Sequence, residues 1–203
     1  MPDDSVHQVS PKFCVFSILI PAIFERLDRL AKLTTFLQGQ IDAGKYPVEI
    51  ISVVDNRIVT VGEKRQMVLD ASHGDYVAFV DDDDWVEPNY VSAIVEAIEA
   101  NMGVDVITFD NYSFIESNPR ATISMRLGNP NDQINFNGIT RRAAWHTCVW
   151  RSDLALRSKF PVSSYGEDWV WAEPLNALAK TEHHIDKVLH HYIFNREVSR
   201  AMG

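Results

Sequence analysis

The sequence predicts an α/β fold, with a mostly parallel central sheet flanked by helices. The first observation is that short apolar runs alternate with segments of helical periodicity through the first half of the chain. This alternation is typical of parallel strands joined by crossover helices. The second is that 46% of the 203 residues are hydrophobic, which is enough to bury a full core. The third is that no linker composition divides the chain, so residues 1–203 are expected to form a single domain.

The predicted strands are short apolar runs rich in β-branched or aromatic residues, as strands buried on both faces usually are. They cover residues 13–20, 49–55, 76–80 and 104–110, with a final strand at residues 185–194. The predicted helices cover residues 24–41, 62–72, 89–101 and 166–180. Residues 111–137 are rich in turn formers. We therefore expect a regular first half and a less regular second half.

Three of the predicted strands run directly into residues that could build a site. Pro21 follows the first strand, Asp55 ends the second, and an acidic run at residues 81–84 follows the third. Ligands of such sheets bind beyond the carboxyl ends of the strands. The sequence therefore predicts a binding site where these three strand ends meet.

The acidic run consists of four consecutive aspartates, Asp81, Asp82, Asp83 and Asp84. Like charges raise one another's pKa, so four adjacent carboxylates favour a bound cation. Oxygen ligands suit a hard divalent ion, and Mg²⁺ or Mn²⁺ is expected. A solvated acidic turn without a ligand is the alternative. The position directly after a buried strand favours the metal.

Two cations and one carboxylate precede the acidic run. Asp55 could accept hydrogen bonds from a nucleobase or a ribose hydroxyl, or it could make an ordinary strand-end turn. Lys64 and Arg65 lie at the start of a predicted helix. They could hold a nucleobase or a diphosphate, or they could form a solvated helix face.

Carboxylates and histidines near the C-terminus are further candidates. Glu167 and Asp168 fall in the first turn of a predicted helix, where they could stabilise the helix dipole or supply a general base. His190 and His191 are neighbours in the final predicted strand. Their side chains would point to opposite sides, so at most one could be a metal ligand in a given site.

Taken in order, these motifs resemble those of the family 2 glycosyltransferases, which have the GT-A fold. The matching stretches are SILIPAIFERLDRL, EIISVVDN, GEKRQMVLDASHGDYVAFVDDDDWV and GEDWVW. The third is the most specific, because it is similar to the family's Gly-x-x-Arg-Asn helix followed by a strand and the Asp-x-Asp motif. The resemblance implies a Rossmann-like GT-A domain. Residues 1–110 would bind the nucleotide-sugar, and residues 111–203 would form the acceptor and catalytic half.

The resemblance also implies a role for each matching residue. Asp83 would hold the metal. His190, His191 or neither would complete the ligand shell, and His191 is the predicted ligand. Asp168 of the Glu167-Asp168 pair would be the catalytic base. The nucleotide-binding residues would be Pro21, Ala22, Glu25, Asp55, Lys64, Arg65, Asp81 and Asp82.

The chain departs from the family pattern at several positions. Residues 22–24 read Ala-Ile-Phe where Thr-Tyr-Asn is frequent, and Asn56 stands where a second Asp is usual. Because of these two departures, the resemblance does not identify which nucleobase is bound. Gln66 replaces the usual Asn, and residues 192–195 read Tyr-Ile-Phe-Asn where the family often has Tyr-Arg-x-His. The last departure leaves the histidine ligand of the metal open.

The expected activity is metal-dependent, inverting transfer of a sugar to an acceptor hydroxyl, with a uridine diphosphate sugar as the donor that family analogy implies. One alternative is a non-catalytic nucleotide- or sugar-binding module of the same fold. Another is a nucleotidyltransferase, although the segment after the first strand lacks the glycine-rich phosphate loop that such an enzyme needs. A phosphohydrolase is disfavoured, because no nucleophile motif follows the first strand. The acceptor could be a glycan, a lipid-linked sugar, a protein or a modified nucleic acid base.

Composition limits the classes of partner and the cellular compartment that we expect for this protein. The net charge of −9 disfavours a large nucleic-acid-binding surface. Cys14 and Cys148 are far apart and suggest neither a disulfide framework nor a zinc site, which fits a reducing compartment. We see no secretory start and no apolar run long enough to span a bilayer, so a cytoplasmic protein without stable membrane insertion is expected.

Overall fold

The computed structural model describes residues 14–194 of the chain. The first half forms β1 (Phe16–Ile23), a 3-10 turn (Phe24–Arg26), α1 (Leu27–Gly44), β2 (Val48–Asp55), α2 (Val61–Asp70), β3 (Tyr76–Phe79), β4 (Trp85–Val86) and α3 (Tyr90–Ala100). The second half forms β5 (Val106–Ile115), β6 (Ala121–Met125), β7 (Ile139–Arg142), β8 (Val149–Arg151), α4 (Ser152–Ala155), α5 (Glu167–Leu178) and β9 (Glu182–Phe194). The predicted helices and main strands are therefore present, with boundaries shifted by a few residues.

The strands of the described region form one sheet in the order β2-β1-β3-β8-β5-β6-β7, with β9 paired to both β5 and β4. The predicted α/β class is confirmed, and the sheet is mixed rather than purely parallel. Strand β1 pairs in parallel with β2 and β3, whereas β8 lies antiparallel between β3 and β5. Strand β6 follows β5 after a short turn and is antiparallel to it, as short connections require.

Both faces of the sheet are covered, which explains why the strands of the first half are continuously apolar. On one face, Phe16 and Ile18 of β1 pack with side chains of α1 and α3. On the other, Leu19 of β1 packs with side chains of α2, α4 and α5, including Trp171. Alternate residues of one buried strand therefore supply two separate cores.

The first strand extends further than its sequence pattern predicts. Pro21 does not end β1, because the strand continues to Ile23, which lies opposite Asp55 of β2. Both strands thus reach the same edge of the sheet, where the acidic run also begins. No helix within residues 14–194 combines the length and the apolar composition that crossing a bilayer requires.

Gly62 fixes the distance between α2 and the loop that leads to α5. Its N–H donates to the carbonyl of Ser163 at 2.9 Å, and an added Cβ would lie 2.0 Å from the carbonyl oxygen of Pro161. We expect Gly62→Ala to lower the free energy of unfolding by about 1–3 kcal/mol, because backbone must move to relieve the overlap. Urea denaturation measures this change.

Gly39→Ala is the matched control for that substitution. Gly39 lies inside α1, and within residues 14–194 an added Cβ would meet no atom within 4 Å apart from its chain neighbours and its own helix backbone. This variant should gain about 0.5–1 kcal/mol, since alanine favours a helix over glycine. Equal stability of Gly62→Ala and the wild type would contradict the close approach.

Candidate active site

The carboxyl ends of β1 and β2 meet the acidic run at one edge of the sheet, as the sequence predicts. The backbone N–H of Ile23, the last residue of β1, donates to Asp82 Oδ2 at 3.0 Å. Ile23 lies opposite Asp55, which ends β2. Residues from three consecutive strands therefore lie together at this edge, where ligands of α/β sheets bind.

Asp82 and Asp83 share a buried arginine. The Nη1 atom of Arg26 lies 2.7 Å from Asp82 Oδ1 and 2.9 Å from Asp83 Oδ2, and Arg26 is only 6% exposed. Arg26 was not predicted as a site residue, because it falls within a segment of helical periodicity. The sequence feature that could have indicated Arg26 is a cation a few residues after a strand that ends at the site.

Asp55 organises the loop after β2. Its Oδ2 accepts from the backbone N–H groups of Ile58 and Val59 at 2.6 and 2.9 Å, and its Oδ1 accepts from Lys64 Nζ at 2.7 Å. Burial opposes the charge of this carboxylate, but the bonds from Lys64 and the two amides outweigh it and lower the pKa of Asp55. Lys64 also donates to the carbonyl of Ala22 at 3.1 Å. The ammonium group of Lys64 is therefore hydrogen-bonded to other groups of the protein.

The remaining residues predicted around the nucleotide differ in exposure. Pro21 and Ala22 are buried in β1, whereas Glu25 is exposed and pairs with Arg57 at 3.0 Å. The α2 helix that carries Lys64 begins with a capping box, in which Thr60 and Glu63 bond to each other's backbone N–H. The cap fixes the start of α2 and therefore directs its first turn toward the strand ends.

Arg65 joins the acidic run to the start of α5. It donates from Nη2 to Asp81 Oδ2 at 2.9 Å and from Nε to Glu167 Oε1 at 3.1 Å, and it is 3% exposed. Burial would raise the pKa of Asp81, but Arg65 and then His146 lower it to about 2. Burial raises the pKa of Glu167 despite the arginine. Arg65 therefore contacts protein carboxylates in this conformation.

The four aspartates of the run are electrostatically unequal. Asp81 has the lowered pKa described above, whereas burial, and then the charge of Asp81, raises the pKa of Asp83 to about 6. The same two causes raise the pKa of the fully enclosed Asp84 well above its ordinary value. The side chain of Asp83 is 17% exposed and that of Asp84 is 2% exposed. Asp83 is therefore better placed than Asp84 to meet a cation from solvent.

Strand β9 approaches the acidic run with His190 rather than His191. The Nε2 atom of His190 lies 3.4 Å from Asp84 Oδ2, and the N–H of Ile193 donates to Asp84 Oδ1 at 2.8 Å. His191 Nε2 instead lies 2.8 Å from Glu87 Oε1. The contacts of His191 thus do not support its predicted place beside Asp83, because alternation along β9 turns it away from His190.

His146 connects the acidic run to Asp168. Its Nδ1 lies 3.4 Å from Asp168 Oδ2, and its Nε2 lies 3.9 Å from Asp81 Oδ2. Burial, and then the charge of Arg65, lowers the pKa of His146 to about 4, although both carboxylates oppose this shift. A neutral imidazole therefore separates Asp168 from Asp81 near neutral pH. The sequence pattern does not indicate this position of His146.

Asp168 opens onto a largely apolar cavity of about 330 Å³. Gly166, two residues before Asp168, has a φ of 72° that allows the chain to turn into α5, and Asp168 Oδ1 accepts from the N–H of Trp169. The other carboxylate oxygen of Asp168, Oδ2, therefore faces His146. The other residues that line the cavity are Asn111, Ser113, Ile115, Ile123, Met125, Ile134, Arg142, Trp145, His146, Thr147, Tyr192 and Phe194.

The arrangement places a partly exposed carboxylate, that of Asp168, across His146 from the acidic run. Asp168 is 22% exposed at its side chain and borders a cavity of the size that small-molecule sites have. The acidic run and Asp55 lie at the strand ends and are held by Arg26, Lys64 and Arg65. Such a site could bind one polar reactant at the strand ends and a second reactant beside Asp168.

Comparison with known sequences gives one family and two relatives. The sequence model described as Glycosyl transferase family 2 matches residues 56–157, about half of the chain. The EpsH protein of Bacillus subtilis (strain 168) is 24% identical over 172 residues, covering 76% of this chain and 49% of EpsH. Glycosyltransferase GlyA of Streptococcus pneumoniae serotype 4 is 27% identical over 125 residues, covering 57% of this chain and 18% of GlyA. The chain thus spans half or less of either relative.

Comparison with solved structures gives the same fold. The crystal structure of S. aureus TarS 1-349 in complex with UDP-GlcNAc has a TM-score of 0.59 at 15% identity, covering 90% of this chain and 59% of that chain. The complex of the same protein with UDP has a TM-score of 0.58 at 14% identity, covering 93% and 63%. At such low identity the likeness establishes the fold alone.

His146 should make stability depend on pH. Its folded-state pKa of about 4 lies below the ordinary value of 6.5, so the unfolded chain takes up the proton first as the pH falls. The stabilising contribution is present above pH 6.5 and is lost between 6.5 and 4. It amounts to at most about 3 kcal/mol. Urea denaturation at two pH values should therefore show a larger loss for the wild type than for His146→Gln.

His73→Gln is the control for this titration, because His73 is an exposed histidine with a side chain 77% accessible. It should keep the pH dependence of the wild type. If the wild type and His146→Gln lost the same free energy of unfolding on acidification, His146 would not be held neutral in the folded state.

Proposed function

Because the chain belongs to glycosyltransferase family 2, we propose that it transfers a sugar from a uridine diphosphate sugar to an acceptor hydroxyl, with a divalent metal and with inversion at the anomeric carbon. The observation that carries the proposal is the placement of Asp168 and the acidic run on either side of a buried neutral imidazole, His146. The imidazole therefore lies between a proton acceptor, Asp168, and the edge of the sheet that would bind the nucleotide.

The donor end of the site lies at the carboxyl ends of β1, β2 and β3. Asp55 and Lys64 hold the loop after β2, so we assign them to shaping the nucleoside pocket. The TarS complexes with UDP and UDP-GlcNAc, which share this fold, support a uridine nucleotide as the first donor to test. Asp81 and Asp82 are held by Arg65 and Arg26 and would face the ribose and diphosphate.

The acidic run has the chemistry of a divalent cation site. Burial, and then repulsion from Asp81, raises the pKa of Asp83, whose side chain is partly exposed. A cation would relieve that repulsion, and carboxylate oxygens are the ligands that Mg²⁺ and Mn²⁺ prefer. Asp83 is the residue that would hold the ion. When bound, a divalent ion offsets the charge that develops on the departing diphosphate.

Asp168 would act as the general base. Its Oδ2 takes the proton of the acceptor hydroxyl while the acceptor oxygen bonds to the anomeric carbon. The bond from that carbon to the diphosphate oxygen breaks in the same displacement, and its electron pair leaves with the nucleoside diphosphate. Glu167, held by Arg65, positions the first turn of α5 that carries Asp168.

Two alternatives predict different measurements. A non-catalytic nucleotide- or sugar-binding module of the same fold would bind a donor without needing Asp168. A nucleotidyltransferase would release pyrophosphate from a nucleoside triphosphate. Family membership favours glycosyl transfer over both. Metal-dependent release of free nucleoside diphosphate from a panel of nucleotide-sugars separates the three.

We expect Asp168→Asn to bind the donor normally and to lose transfer or donor hydrolysis by about 100-fold or more, because the amide cannot accept the proton. Calorimetry measures binding, and the released nucleoside diphosphate measures turnover. Asp42→Asn, at an exposed position near the end of α1, should leave both unchanged. Near-normal turnover by Asp168→Asn would remove the base assignment.

We expect Asp83→Ala to lose the metal dependence of donor binding, because the partly exposed carboxylate of the run is removed. Uridine diphosphate is titrated calorimetrically into the variant with and without Mn²⁺. Wild-type affinity should rise with Mn²⁺, and the affinity of the variant should not. Asp42→Ala is the matched control. An unchanged response to Mn²⁺ in Asp83→Ala would refute the role of Asp83.

A further inference from the structure

Strand β9 shifts its register against β5 at a bulge far along the chain from the acidic run. Phe109 lies opposite Ile185, but Asp110 lies opposite Val188, so residues 186 and 187 stand outside the ladder. The bulge brings one ligand atom from each of three side chains within 4.8 Å of one another. These residues are Asp110, His184 and Asp186.

The hydrogen bonds around His184 determine which ring nitrogen carries the proton. The hydroxyl of Thr108 donates to Glu182 Oε1, which also accepts from the N–H of Leu127. Thr108 Oγ1 lies 2.9 Å from His184 Nδ1. Because the hydroxyl proton is already given to Glu182, the oxygen accepts from Nδ1–H of the imidazole. Nε2 of His184 is then left with a lone pair.

That lone pair faces a second acceptor. The side chain of His184 is 7% exposed, and its Nε2 is buried without a hydrogen-bond partner among residues 14–194. Asp110 Oδ1 lies 3.7 Å from this nitrogen and is likewise buried without a hydrogen-bond partner in the described part of the chain. An imidazole lone pair and a carboxylate cannot bond to each other. A cation between them would satisfy both.

A neutral imidazole is the form that binds metals. The outer hydrogen bond from Nδ1 to a polar group is the usual arrangement for a metal-ligating histidine.

We propose that Asp110, His184 and Asp186 form a divalent cation site, separate from the acidic run, that takes a first-row metal such as Zn²⁺. One imidazole nitrogen and two carboxylates suit this ion, with water completing the coordination. None of the three side chains belongs to the set assigned to the donor or to catalysis. The site therefore does not depend on the proposed glycosyl transfer.

The cation would hold β9 in its shifted register. Downstream of the bulge, β9 presents His190 to Asp84 and donates from the N–H of Ile193 to the same carboxylate. A slip of one residue would turn His191 inward instead. The cation site would thus stabilise the alignment on which the far side of the acidic run depends.

Zinc titration of the chelator-treated full chain tests the site, with Asp83→Ala as the background so that the acidic run contributes little. Calorimetry should show one Zn²⁺ per chain, and the melting temperature should rise with Zn²⁺. Adding His184→Gln should weaken binding by about 100-fold or more, because loss even of an outer hydrogen-bond partner costs about 10- to 100-fold. His183→Gln, the neighbouring histidine, should leave binding unchanged.

Asp186→Asn keeps the test independent of folding, since Asp186 is exposed and outside the ladder. It should weaken Zn²⁺ binding by about tenfold without altering the circular dichroism spectrum of the metal-free chain. Absence of Zn²⁺ binding in the Asp83→Ala chain would overturn the proposal. So would binding that is unaffected by both Asp186→Asn and His184→Gln.

Discussion

The guanidinium of Arg65 is the group on which the arrangement of the site depends. It is buried and bonds to Asp81 at the end of β3 and to Glu167 at the start of α5. A buried cation is tolerated only when carboxylates surround it, and buried carboxylates need such a cation in return. Arg65 therefore keeps two segments that are distant in sequence together, and Asp168 is placed by the helix that begins with Glu167.

The same principle produces the gradient along the acidic run. Arg65 neutralises Asp81, whereas Asp83 shares Arg26 with Asp82 and receives less compensation. Burial, and then repulsion from Asp81, raises the pKa values of Asp83 and Asp84. A polar site of this kind is prepared for a charged ligand, because binding removes a repulsion that folding alone leaves in place.

Features that depend on local periodicity could be predicted from the sequence, and those that depend on side-chain pairing could not. Strand ends marked by Asp55 and Asp81 were predictable, because buried strands and their final residues are visible in the pattern. The antiparallel β8 was not, since three residues carry too little signal to reveal their neighbours. Arg26 and His146 were assigned no pairing, because their partners lie far away in sequence. Alternation along β9 predicts that only one of His190 and His191 faces the acidic run. Which of the two faces it depends on the register of β9, and the sequence does not show that register.

The position of β8 bears on how the chain can fold as it is synthesised. Trp150 of β8 pairs with Val77 of β3 on one side and Val106 of β5 on the other. The strands of the first half therefore cannot be joined to β5 until this late segment has left the ribosome. Until then β3 presents an open edge, a known route to aggregation.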